Sequence, residues 1–256
     1  MKMKTKMLTL SELIEKFVES GLMVKKEIVE EIVKRDDVYE ELSRILEDEP
    51  YWIPGWEEGA WYLIHTMFIL GLKKSKKSFE LLKYMLVHEI EVLGEGYWIT
   101  EDLSSVFYSF GTEYFDDIKD IFFDESMDMW VRIAALDALC AFAVTNPKLT
   151  DDAAKVCNEF LKMDIKNDGG DEFLAMTFDS MAEVDDDELF ERIKEAYQKS
   201  EYSESMISMG GLEELHKGTS KYSHYTYATK DLWEHFSDKN LNYLYEINYG
   251  KSKSKQ

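Results

Sequence analysis

Residues 128–144 read DMWVRIAALDALCAFAV, and the way this stretch is read decides the fold. Val131, Ala134, Ala135, Ala138, Leu139, Phe142 and Ala143 recur at the three- and four-residue spacing of one helix face. The alanines on that face let a neighbouring helix approach closely. Trp130 and Arg132 stand at the opening turn, where a buried helix requires neither a large aromatic nor a guanidinium. Packing and geometry account for them. Arg132 follows Asp128 by four residues, so the carboxylate can favour the helix dipole and clasp the guanidinium by a two-pronged contact. Trp130 is expected to wedge against the turn that carries Trp98. Asp128, Trp130 and Arg132 are therefore read as the junction of a structural repeat.

Working outward, the rest of the chain has the same texture. At 256 residues it is long enough for one large core or two small ones. Three prolines and thirteen glycines are too few for a fold built of many short strands and turns. Thr9 and Glu12 form a capping box for a short first helix that ends at Gly21, a residue suited to the left-handed stop position. Ile28, Val29, Ile32 and Val33 mark a second helix, and Leu42, Ile45 and Leu46 a third before Pro50. Beyond that point the helices become apolar all round, as elements sandwiched between neighbours do. Helices are expected near 57–72, 77–93, 100–111, 114–124, 127–145, 150–163, 171–183 and 186–199.

These helices come in pairs. With Gly71, Gly111, Cys140 and Ala182 in register, the periods are 40, 29 and 42 residues, in and around the range of stacked helical repeats, whose pairs cannot bury their apolar faces alone. The expected fold is all-α, an α-solenoid of stacked antiparallel helix pairs. Its parts are an N-terminal helical cap over 1–50, a repeat body over 51–200, an aromatic C-terminal helical cap over 201–250 that covers the last repeat, and a disordered tail over 251–256. All four parts are read as one continuous domain.

Two resemblances agree with this. Asp124, Asp128, Val131, Arg132, Ala134, Ala135, Ala138 and Leu139 resemble the HEAT repeat of the phycobilisome-lyase type, with its acidic turn, Val-Arg pair and small inner-face residues. Thr100, Glu101, Asp102 and Leu103, followed by Trp130, Val131 and Arg132, resemble a HEAT-like domain family of unknown function, over residues 10 to 210. Both imply a fold and neither implies an activity.

Charge bounds the partners. The 52 acidic residues against 30 basic ones give a net charge of -22, which repels the phosphate backbone that nucleic-acid binders must neutralise. After His216 the balance reverses to seven Lys against four acids, so the acidity belongs to the body. The longest apolar stretch, Ala60 to Leu72, is thirteen residues and holds His65 and Thr66, whereas a span needs roughly 20. The Lys-bearing start lacks the apolar run of a signal peptide, being interrupted by Ser11, Glu12, Glu15 and Lys16. No membrane, no nucleic acid and a reducing cytoplasmic setting are expected, with Cys140 and Cys157 as two small buried hydrophobes.

No catalytic, metal or cofactor signature emerges. His88-Glu89 is the single His-Glu pair, whereas deoxyhypusine hydroxylase, a HEAT-repeat enzyme, assembles its metal site from several. Glu183–Glu191 (EVDDDELFE) concentrates carboxylates without the spacing or Gly of a calcium loop, and reads as a turn whose Asp residues cap the next helix. The aromatic residues Trp52, Trp56, Trp61, Tyr97 and Trp98, with Glu101 and Asp102, admit two readings. They pack one repeat on the next, or they line an exposed acidic-aromatic groove suited to a basic or amphipathic peptide. The expected function is a non-catalytic scaffold or adaptor that binds a basic protein partner through that groove. The competing class is a metal-dependent or carboxylate-based enzyme using the same groove.

Overall fold

In a computed structural model of the chain, residues 8–47, 61–90, 93, 98–163, 170–200, 207–221 and 223–250 are described. The stretch that opened the reading is the helix Met129–Thr145, and every residue from Ile133 to Ala143 is buried. One stripe is thus an understatement. The helix is wrapped by Leu103–Ser109, Phe115–Phe123, Thr150–Phe160, Gly170–Ala182 and His224–Ala228, which is why a helix with no polar face is stable in water. Among the described residues the elements are α-helices and short 3₁₀ turns, with no strand.

The chain divides into two units, Gly94–Lys230 and Met1–Leu93 with Asp231–Gln256. In the unit Gly94–Lys230, Met129–Thr145 packs on Leu103–Ser109 and Gly170–Ala182, and the latter packs on Met209–His216. A second series, Phe115–Phe123, Thr150–Phe160 and Asp187–Tyr197, lies against the first. Its members are amphipathic. Ile118, Ile121 and Phe122 are buried in one, Ala153, Val156, Cys157 and Phe160 in the next, and Leu189, Phe190, Ile193 and Tyr197 in the third, at the three- and four-residue spacing of one face. Phe122, Phe160 and Phe173 meet with ring centroids 5.0, 5.1 and 6.1 Å apart. Burying each such ring contributes about 1.5–3 kcal/mol.

The other unit begins as expected. Thr9 Oγ1 accepts from the Glu12 N–H at 3.3 Å and the Thr9 N–H donates to the Glu12 carboxylate at 2.8 Å, so the capping box is complete. Gly21, with φ of 50°, stops the helix Leu10–Glu19. The helix Lys26–Lys34 ends in a device that periodicity does not reveal. Lys73 Nζ donates to the Ile32, Val33 and Arg35 carbonyls at 3.3, 3.1 and 2.6 Å, holding acceptors that a helix end leaves unpaired.

The C-terminal segment departs from expectation. Met209–His216 packs on Gly170–Ala182 and Asp187–Tyr197, inside the unit that holds the repeated pairs. The 3₁₀ turn Leu232–Phe236 and the helix Asp238–Tyr249 instead pack on Trp61–Lys73 and Gly21–Met23. Trp61 Nε1 donates to the Tyr249 hydroxyl at 2.8 Å, and Phe68 stacks on His235 with centroids 3.7 Å apart. The aromatic residues expected to cover the last repeat therefore close the N-terminal helices, because the all-round apolar helix Trp61–Lys73 requires cover on every side. The tail 251–256 lies outside the described residues.

Candidate functional site

Trp52, Trp56 and Tyr97 lie outside the described residues. Trp61 and Trp98 take the packing alternative. Trp61 is 3% exposed and Trp98 8% exposed, so neither offers a ring to a partner. Glu101 is exposed at the end of the short helix Trp98–Glu101. Asp102 is mostly buried and pairs with Lys230 at 3.4 Å, while Lys230 also donates to the Glu101 carbonyl at 3.3 Å. Burial pushes the Asp102 carboxyl up and the Lys230 charge partly offsets it. That pair ties the end of the unit to its beginning. It is a closure within that unit.

The Asp128–Arg132 clasp is not formed. Asp128 spends its carboxylate on its own helix, accepting from the Trp130 N–H at 2.8 Å, one of the orphan donors at a helix start. Arg132 reaches back instead. Its Nε donates to the Phe122 carbonyl at 2.9 Å, and its guanidinium lies 4.4 Å from the centroid of Phe173. One side chain thus joins Phe115–Phe123, Met129–Thr145 and Gly170–Ala182. Burial depresses its basicity, countered by the nearby Glu125 and Asp124. Trp130 is half-buried and meets no other aromatic ring among the described residues, while its helix Met129–Thr145 packs on Trp98–Glu101.

Other chemistry-bearing side chains are in packing roles. Asp186 caps Asp187–Tyr197 by accepting from the Leu189 N–H at 2.8 Å, as the carboxylate-rich turn predicted. His88 is exposed beside Tyr84. Glu89, next to it, is buried, burial pushes its carboxyl up to about 7, and its Oε2 has no hydrogen-bond partner among the described residues. Ser180 Oγ donates to the buried Asp137 carboxylate at 2.5 Å. Among the described residues no group of three or more His, Cys, Asp or Glu is arranged to hold a metal ion, and no helix is long and apolar enough to cross a membrane.

Two surface features remain. Lys155, Asn158, Glu159, Lys162 and Arg192 line a groove of about 490 Å³. Its cations are largely spent, Lys155 on Asp152 at 3.0 Å and Arg192 on Glu188 at 2.8 Å. The second feature repeats. The helices Phe115–Phe123, Thr150–Phe160 and Asp187–Tyr197 begin 35 and 37 residues apart, and each carries two adjacent exposed acids in its first turn: Asp116 and Asp117, Asp151 and Asp152, Asp187 and Glu188. Small residues on the apolar helices give an irregular register, whereas the acid pairs of the second helices give a nearly even one. No curated protein and no solved structure matches the chain. The family described as "Protein of unknown function (DUF1186)" matches residues 8–225, and the chain belongs to that family.

Proposed function

We propose that this protein is a non-catalytic, HEAT-like helical-repeat scaffold that binds a basic protein partner through an acidic surface. The packing order supports the repeat reading, since each apolar helix lies on the next and carries an amphipathic second helix. The observation that carries the binding reading is the exposed acid pair at the first turn of three successive second helices. Each pair locally favours its own helix dipole, by about 0.3–1 kcal/mol per charge. One acid of each pair is held by a cation of its own helix, Asp116 by Lys119, Asp152 by Lys155 and Glu188 by Arg192. Because the pairs recur in the first turn, the fields of the other acids add toward solvent and draw a cationic partner by long-range steering. Trp61 and Trp98 are buried and contribute no contact area to this surface.

The test is capture of partners from the native cell by the full chain, beside a variant neutralised at the six acids (D116N, D117N, D151N, D152N, D187N, E188Q). A basic partner held by the native chain, lost by the variant and released by salt, with both chains equally helical, is the expected result. Retention of the same partner by the variant at equal strength overturns the proposal.

A further inference from the structure

Cys140 and Cys157 are the chain's only cysteines, and nothing in the proposed function uses them. Cys140 lies on Met129–Thr145 and Cys157 on Thr150–Phe160, two consecutive helices joined by the 3₁₀ turn Pro147–Leu149. Their sulfurs are 3.9 Å apart, and the residues are 2% and 0% exposed. This is van der Waals contact between two thiols, about 2 Å longer than a disulfide bond. Rotation of two side chains spans such a gap, whereas sulfurs on diverging Cα–Cβ vectors would demand backbone movement.

We infer that Cys140 and Cys157 are an oxidative modification site that closes to an intramolecular disulfide under hydrogen peroxide. In the first step one sulfur attacks the peroxide, the O–O bond breaks, and a sulfenic acid and one water form. In the second the neighbouring sulfur attacks the sulfenic sulfur, the S–OH bond breaks, and the hydroxyl leaves as water with the thiol proton. Two thiols are oxidised by two electrons in all, and one peroxide is reduced to two waters.

The surroundings set the rate and the outcome. The Cys157 thiol, burial, and the charges of Asp137 and Glu183 all push the Cys140 thiol well above its usual range, so thiolate is scarce and the first step is slow. Once a sulfenic acid forms, its partner is already in contact and no third thiol exists within the chain to compete. Burial also shields the sulfenic sulfur from further peroxide, so the ladder stops at the disulfide. The product joins the most enclosed helix of its unit to the helix that follows it. The site needs only a thiol pair held in the core, and stands whether or not the acidic surface binds a partner.

The experiment oxidises the native full chain with hydrogen peroxide, quenches, denatures in guanidinium and labels free thiols with N-ethylmaleimide. The expected product is monomeric, takes up no label, is lighter by two hydrogens, yields a Cys140–Cys157 cross-linked peptide, and regains both thiols with dithiothreitol. Its melting temperature is higher than that of the reduced chain. The C140S and C157S variants separate proximity from plain reactivity: each is expected to carry its remaining sulfur no further than the sulfenic acid and to form no internal link. Two fully labelled thiols after an exposure that oxidises free dithiothreitol overturn the inference. Disulfide-linked dimers, or sulfinic acid in place of the internal bond, overturn it equally.

Discussion

His65 Nδ1 and His235 Nε2 lie 2.9 Å apart with both residues buried, although 170 positions separate them in the chain. His65 Nε2 faces the Gly21 and Leu22 carbonyls, each at 3.2 Å. Those oxygens only accept, so Nε2 carries the proton and Nδ1 accepts from His235 Nε2–H. Phe17, Trp61, Phe68 and Phe236 surround the pair. It therefore holds the segment 231–249 to the N-terminal helices as two neutral rings, and one added proton puts a charge among aromatic side chains.

The contribution of this histidine pair to stability should fall on acidification. Glu89 of the same unit, its carboxyl pushed up to about 7, works in the opposite direction between about 7 and 4.5, so the pair is read from the difference between the native chain and a His235 variant. Burial pushes His65 down to about 4 and His235 well below its usual range, where the proximity of His65 adds to the effect. Above pH 6.5 neither the unfolded nor the folded chain binds these protons, and the stability is whole. Between about 6.5 and 4 the unfolded chain takes up protons that the folded one refuses, at a cost of about 3 kcal/mol for His65 alone. Urea melts at pH 7 and pH 4.5 measure it. His235→Phe, which keeps a ring against Phe68, should flatten the pH dependence; an unchanged slope counts against the pair.

Arg132→Ala removes the bond to the Phe122 carbonyl and the cation over Phe173. The expected loss is about 2–4 kcal/mol, read in thermal melting. Arg132→Lys should recover little, since an ammonium lacks the planar face and the Nε donor. Unchanged melting with loss of partner binding would mean that the residue belongs to a binding surface.

Lys73→Met keeps the apolar stem and strands the Val33 and Arg35 carbonyls, while the Ile32 carbonyl keeps the Arg35 N–H. A loss of about 1.5–3 kcal/mol is expected, with faster amide exchange at the end of Lys26–Lys34. Uniform exchange along that helix would assign the loss elsewhere.

Ser180→Ala leaves the buried Asp137 carboxylate short of a donor. The cost should be about 1–3 kcal/mol, and Ser180→Thr, which restores a hydroxyl, should recover part of it. Equal melting of the native, Ala and Thr chains would show that other donors satisfy Asp137.

Much of the helix order is legible in the sequence because it is local. Thr9 and Glu12 identify their capping box, and the apolar spacing from Val131 to Ala143 identifies its helix, within residues close along the chain. Neighbour choice is not local. Asp128 and Arg132 stand at the right spacing for an ion pair, but the carboxylate finds a nearer donor in its own helix, and the guanidinium finds a carbonyl and a ring on two others. The aromatic set is ambiguous for the same reason: spacing says that Trp61 and Trp98 sit at helix starts and cannot say whether a helix covers them.

The sequence by itself determined the all-helical composition, most helix positions and the burial of both cysteines, since three- and four-residue periodicity and capping residues act over a single turn. Tertiary structure alone decided that the C-terminal segment returns to the N-terminal helices and that His65 meets His235. It also set the two thiols in contact. Those outcomes follow from which apolar faces most fully cover one another, and that free energy depends on shapes brought together by the whole fold.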